Sequence, residues 1–197
     1  AGTMPTYNFT SADKNLRICI TKAGGFVSEM SNSRTIGKEK LDYSSASKTA
    51  EAFLLKRGIS GMKESYYVIN NGICLINYAF VQDGAVCYPD LIKVGIALDT
   101  GEVVRFQATG YIMNHASRSI STKISLQDAQ KKLSKYLTVN KSGIAVIPTP
   151  GLSEVLCYEF LCTGNDGDKV LVYINAANGY EEDILILQFS DNGVLVR

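Results

Sequence analysis

Tryptophan is absent from the 197 residues, histidine occurs once, at His115, and proline only four times. A single histidine excludes any site built on two imidazoles, and any Ser-His or Cys-His mechanism would have to run through that one residue. Hydrophobic content of 46% against 20% charged residues excludes a disordered chain and describes a globular one. An excess of one charge sign is also lacking. With 20 Lys+Arg against 19 Asp+Glu the formal net charge is +1, so nothing draws the chain as a whole toward nucleic acid or an anionic bilayer. No apolar run reaches the roughly 18–20 residues of a membrane-spanning helix, and the first residues, AGTMPTYNFT, have neither the basic start nor the apolar core of a secretory signal. The five cysteines, Cys19, Cys74, Cys87, Cys157 and Cys162, show no CxxC spacing, which removes the usual zinc arrangements, and an odd number cannot all pair within one chain.

What the sequence does contain is repetition. KLDYSSASKTAEAFLLKRGI, from Lys40 to Ile59, aligns without a gap on KISLQDAQKKLSKYL, from Lys123 to Leu137. Asp42 and Ser125 occupy the N-cap position, where a side-chain oxygen accepts from the first-turn amides, and Ser125 with Asp128 approximates a capping box. Ala46, Ala50, Phe53 and Leu54 match Ala129, Leu133, Tyr136 and Leu137 at helical spacing, one apolar stripe on each helix. Strand-like runs with period-two alternation follow each helix. Tyr78, Ala79, Phe80 correspond to Tyr158, Glu159, Phe160, and Val94, Ile96, Leu98 to Val170, Val172, Ile174; these sets are expected to face the core. The turns Asp99-Thr100-Gly101-Glu102 and Asn175 to Tyr180 close the same hairpin in the two copies. A partial third copy, LRICITKAGGFVSEM, opens the chain without its helix, so residues preceding Ala1 are expected in a parent protein.

A helix followed by a small antiparallel sheet, repeated about every 80 residues and closed by such a hairpin, resembles the PepSY domain known from propeptides of secreted peptidases. The residues from Ile18 to Gln188 go further and resemble the C-terminal region of the YpeB family of spore germination proteins. The segments that carry this are ITKAGGFVSEM, KLDYSSA, GAVCYPDLIKVGIALDTGEVV, GYIMNH, IAVIPTPGLSEVLCYEF and VYINAANGYEE, of which GYIMNH and the YPD step are the most specific. The expected fold is α+β, tandem PepSY-like units, each one helix packed on a small antiparallel sheet. Its parts are a partial hairpin over 1–40, a unit over 41–112, a linker over 113–123 and a unit over 124–197. The resemblance implies a non-enzymatic protein of the bacterial spore, at the outer face of the inner membrane or in the cortex, with a membrane anchor in an N-terminal region outside this sequence. It implies a partner, the spore cortex-lytic enzyme SleB, which it stabilises, inhibits or both. Binding to cortex peptidoglycan is the alternative, and no cofactor is expected. Five cysteines depart from what an outward-facing protein would carry, and a reduced compartment or an anaerobic host reconciles them.

Residue by residue, the chemistry is sparse. His115 lies in YIMNHASRSISTK, which reads as a linker, and a polar contact between units is the bland reading beside a catalytic one. Cys157 and Cys162, five apart, fall on opposite faces of one strand, where neither a disulfide nor a shared metal is feasible. Asp90, Asp99 and Glu102 invite a calcium reading, yet no stretch follows D-x-D-x-D-G. GNDGD, from Gly164 to Asp168, has turn composition. Glu181, Glu182 and Asp183 alternate faces on a strand and do not converge as a glycosidase pair would. Tyr66, Tyr67 and Tyr88 suit either a binding face or cross-strand packing. No catalytic, metal or cofactor residues are assigned. Tyr88, Pro89, Asp90, Asn114 and His115 are the candidate partner-binding residues, because the resemblance is strongest there while the repeat does not require them.

Overall fold

The computed structural model describes residues 4–151, 153–190 and 192–196. Its elements in chain order are β1 (Thr6–Thr10), β2 (Leu16–Thr21), β3 (Val27–Asn32), α1 (Tyr43–Leu55), β4 (Met62–Asn70), β5 (Ile73–Gln82), β6 (Ala85–Ala97), β7 (Val103–Gln107), α2 (Thr109–Asn114), α3 (Leu126–Gln130), β8 (Thr138–Pro148), β9 (Glu154–Thr163), β10 (Lys169–Asn175), β11 (Glu181–Ser190) and β12 (Gly193–Val196). The chain divides into a first unit, Ala1–Phe80 with Asp90–His115, and a second, Val81–Pro89 with Ala116–Arg197. The expected α+β tandem of helices, each on its own small sheet, is overturned: strand makes up 50% of the protein and helix 13%. The hairpins join into broad sheets and the second helix largely gives way to turns.

In the first unit the strand order is β1-β2-β3-β7-β6-β5-β4. The leading hairpin β2–β3 therefore continues the sheet through β3, where Ser31 lies opposite Arg105 of β7. Helix α1 forms because Asp42 caps it, its carboxylate accepting from the Ser45 N–H at 2.8 Å, and because its stripe has a sheet to cover. Ala46, Ala50 and Leu54 lie buried against Ile76, Tyr78, Val94, Ile96 and Phe106. The helix stops where Gly58 takes a φ of +73°, and the Ile59 N–H returns to the Leu54 carbonyl at 3.1 Å. Ile59 packs onto the same core, the apolar contact that accompanies such a stop.

The second unit runs β11-β10-β9-β8, with β12 on β11, and Ala85–Cys87 at the start of β6 pairs in parallel with Ile144–Val146 of β8. Strands β9 and β10 are covered on both faces, whereas β11 is largely exposed. Tyr158, Phe160, Cys162, Val172 and Ile174 pack with Ala129 of α3, while Ala145, Ile147, Cys157 and Tyr173 form a second cluster. Burial on two faces explains the nearly continuous apolar runs of β9 and β10. Ser125 caps α3 as expected, accepting from the Asp128 N–H at 3.1 Å. After Gln130, however, the bonds tighten to three-residue spacing, Lys132 N–H to Ala129 and Leu133 N–H to Gln130. The Ser134 hydroxyl accepts from the Tyr136 N–H, a local bond that competes with helix continuation. Leu133 and Leu137 still reach the core, but Tyr136, expected on the stripe, is 60% exposed.

Candidate partner-binding site

Strand β6 changes neighbours along its length. It pairs with β8 at Ala85–Cys87 and with β7 from Lys93 to Ile96. Between these stretches lies Tyr88-Pro89-Asp90. Proline has no N–H to give a ladder and is confined to places where none is needed; Pro89 sits where β6 pairs with neither β7 nor β8. The same interval lets consecutive side chains take up unlike tasks in the two units.

In the first unit Asp90 is fully buried and accepts a 2.8 Å contact from His115 Nδ1, the imidazole being 36% exposed. A buried carboxyl group is costly without a partner, and the geometry makes His115 one. A carboxylate only accepts, so Nδ1 donates and Nε2 is the ring nitrogen left for other contacts. Short helix α2, which no cap or apolar period foreshadows, delivers that ring. Tyr111 stacks on it at 4.4 Å and 17°, and Phe80 meets it edge-on at 4.6 Å. Tyr111 and Ile112 also pack on the main core, and burial pushes the Tyr111 hydroxyl above its ordinary value. Thus Asp90 and His115, distant in sequence, come together, while Asn114 is exposed beside them at the end of α2. Asp90 faces inward, and the imidazole it orients is the exposed member of the pair.

In the second unit the Tyr88 hydroxyl donates to Glu159 at 2.7 Å, and its ring lies edge-on to Tyr173 at 6.3 Å. Burial, with Tyr88 and Glu159 alongside, holds the Tyr173 hydroxyl far above its usual value. The loop after α2 is fastened by Arg118, whose guanidinium makes a two-toothed contact with Glu154 at 2.8 and 3.0 Å. Its backbone N–H and carbonyl meanwhile pair with the Gln82 side-chain amide at 3.0 and 2.6 Å. Glu159, Tyr173, Gln82 and Arg118 carry no local sequence signal for these roles, since each pairing spans more than 30 positions.

The remaining candidate chemistry resolves into structure. Arg34 binds Asp99 through two nitrogens at 2.8 and 2.9 Å and Glu102 at 2.8 Å. With the Gly37 N–H also donating, the Asp99 carboxyl is held well below the usual range. Those oxygens are thus committed to an arginine. Tyr67 stacks on Tyr43 at 3.9 Å, and burial raises the Tyr66 hydroxyl, so both serve packing. Glu182 accepts from the Asn175 side-chain amide at 2.6 Å, and GNDGD closes a turn through the Gly164 N–H and the Asp168 carbonyl. All five cysteines are buried, with Cys157 and Cys162 in different clusters. Among the described residues no group of His, Cys, Asp and Glu could hold a metal ion, and no helix is long and apolar enough to cross a membrane.

Comparison with known proteins matches residues 1–121 to the family described as YpeB sporulation, PepSY1 and PepSY2 domains. The chain is 31% identical to sporulation protein YpeB of Halalkalibacterium halodurans over 86% of this chain and 38% of that protein. It is 34% identical to sporulation protein YpeB of Bacillus subtilis over 84% of this chain and 37% of that protein. The chain therefore spans less than two-fifths of the curated relatives it matches. Among solved structures it is similar to the Bacillus megaterium YpeB C-terminal domain, with a TM-score of 0.80 and 28% identity, covering 93% of this chain and 83% of that one.

Proposed function

This chain belongs to the YpeB sporulation family, and on that premise we propose that it is a non-enzymatic regulator of spore germination that binds the cortex-lytic enzyme SleB. Its role is in sporulation. The regulator acts in the spore at the outer face of the inner membrane or in the cortex, and it stabilises its partner, inhibits it or does both.

The observation that supports binding is the free edge of the first unit. Strand β1 pairs with β2 and, among the described residues, with no other strand. An edge strand presents unpaired N–H and carbonyl groups to any chain that can add a strand. Here Tyr7 and Phe9 stand opposite Ile20 and Ile18, and both aromatic rings are more than half exposed, as is Phe26 in the next turn. Backbone pairing would supply affinity and the aromatic rings would supply selectivity. Asn114 and His115 in the first unit, and Tyr88 and Pro89 in the second, are the further contacts. A partner held this way is protected by mass action on its folded state.

The test is calorimetric titration of this chain with the purified cortex-lytic enzyme, with its hydrolytic activity followed in the same samples and cortex peptidoglycan in a parallel cell. Saturable binding that is lost on replacing Phe9 by Asp supports the edge model. Heat from peptidoglycan alone makes the chain a wall-binding module, and no heat from either refutes a contact in this region.

A further inference from the structure

We infer that the face of the first unit opposite α1 is a binding groove for a short acidic peptide held extended. The register places the groove. Arg17 of β2 lies opposite Ser31, Ser31 opposite Arg105, and Arg105 opposite Gly95, while Glu29 lies opposite Gln107 and Gln107 opposite Lys93. Residues opposite one another in a sheet share a face. Their neighbours Met30, Phe106 and Val94 point the other way, into the core beneath α1. The groove so formed is about 500 Å³ and is lined by Arg17, Lys93 and Arg105 with a single acid, Glu29.

Two features make this more than a solvated face. Among the described residues none of the three cations has an ion-pair partner, in contrast to Arg34 and Arg118, which are both fully engaged. Among the described residues Arg17 reaches the Asn8 side chain, at 3.5 Å. Grouping unpaired like charges opposes folding slightly, so the cluster is not explained by stability. The second feature is Gly95. A methyl group there would come within 2.8 Å of Arg105 Cβ and 3.3 Å of Ile73. The missing side chain is a notch in which the stem of Arg105 lies across β6.

Charge and spacing select the ligand. Arg17 and Arg105 stand two strands apart, roughly 10 Å, and Lys93 is one strand and two residues from Arg105, roughly 8 Å. One compact phosphate cannot bridge such distances, and the groove offers no helix N-terminus or nest of backbone amides of the kind phosphate sites use. An extended peptide places alternate side chains roughly 6.6–6.8 Å apart on one face, so carboxylates at every second position can each meet a different cation once the long Arg and Lys side chains span the remaining few ångströms. Nucleic acid is disfavoured by Glu29. This groove is separate from the β1 edge, and its test stands or falls independently of SleB.

The experiment is calorimetric titration of the 197-residue chain with the pentapeptide Glu-Ser-Glu-Ser-Glu at about 0.15 M salt. Lys-Ser-Lys-Ser-Lys and inorganic phosphate form the parallel arms. Saturable binding of the acidic peptide is expected, weakened at least about tenfold by Arg105→Gln and by Lys93→Gln, with thermal midpoints equal to or above that of the parent. Glutamine keeps the stems packed and removes only charge, so these variants read the cations and not the fold. Gly95→Ala should weaken binding by displacing Arg105. The proposal is overturned by absence of saturable heat with the acidic peptide, by equal binding of phosphate or the basic peptide, or by glutamine variants that bind like the parent.

Discussion

Replacing His115 by Ala removes a hydrogen bond from a carboxyl group that has no solvent exposure, together with two ring contacts. A hydrogen bond to a charged group contributes about 1.5–3 kcal/mol, and each aromatic contact about 0.5–1.5 kcal/mol beyond the area it buries. The imidazole is partly exposed, so water enters the space it leaves and meets part of the demand of Asp90; this pulls the expected loss to about 2–4 kcal/mol. His115→Phe should recover the ring contacts and still lose the hydrogen bond, placing it between the parent and His115→Ala. Asp90→Asn with His115→Ala completes a double-mutant cycle, for which a coupling of at least about 1 kcal/mol is expected. With no tryptophan in the chain, urea unfolding is best followed by far-UV circular dichroism. A His115→Ala loss under about 0.5 kcal/mol, or a coupling within about 0.5 kcal/mol of zero, would refute the account of this pair.

Burial pushes the Cys74 thiol up to about 11 and the Cys157 thiol up to about 12; a disulfide-exchange reagent at about pH 8 should therefore react slowly with the native protein and rapidly in urea, whereas a prompt native reaction of either would contradict the packing. The same shifts favour the folded state fully below the ordinary thiol value near 9. That contribution should fade as pH climbs toward 11–12, visible as a falling thermal midpoint that Cys157→Ala makes shallower. At the acid end, the depressed Asp99 carboxyl contributes stability that is complete above its unfolded value near 4 and is lost as pH falls toward its lower folded value. Asp99→Asn or Arg34→Ala should flatten that slope in thermal scans between about pH 5 and 2. Phe160→Ala, which empties a fully buried site in the second unit, should cost about 3–5 kcal/mol by urea unfolding; a value under 1 would mean the side chain is not in the core.

Local periodicity carried the strands well. ICLINYAFVQ and EVLCYEFLCT coincide with β5 and β9, and α1 starts at the cap its sequence names. Three elements escaped for physical reasons. β1, TYNFT, is a single short alternation whose strand character comes from pairing with β2. α2 has six residues and no side-chain cap, and it holds by packing Tyr111 and Ile112 on the core. α3 was overestimated because its apolar spacing is compatible with tighter turns once Ser134 diverts a backbone amide. The architecture itself depends on hairpins merging into larger sheets, and nothing local distinguishes a strand with one neighbour from a strand with two.

The candidate site shows the same limit from the other side. YPDLIKVGIA reads as one uniform strand, and Pro89 is the one residue in it that argues otherwise. That proline marks the place where β6 has left β8 and not yet met β7. The Asp90 and His115 found there would be exchanged for an apolar pair if stability alone mattered, because buried ionic contacts seldom outperform hydrophobic ones. What the apolar pair would not provide is orientation: Asp90 accepts a hydrogen bond from Nδ1, Tyr111 and Phe80 fix the ring plane, and the imidazole is held in one direction at a partly exposed position. The two segments most specific to the family, the YPD step and GYIMNH, thus meet at the hydrogen bond between Asp90 and His115. Its physical effect is to aim the imidazole.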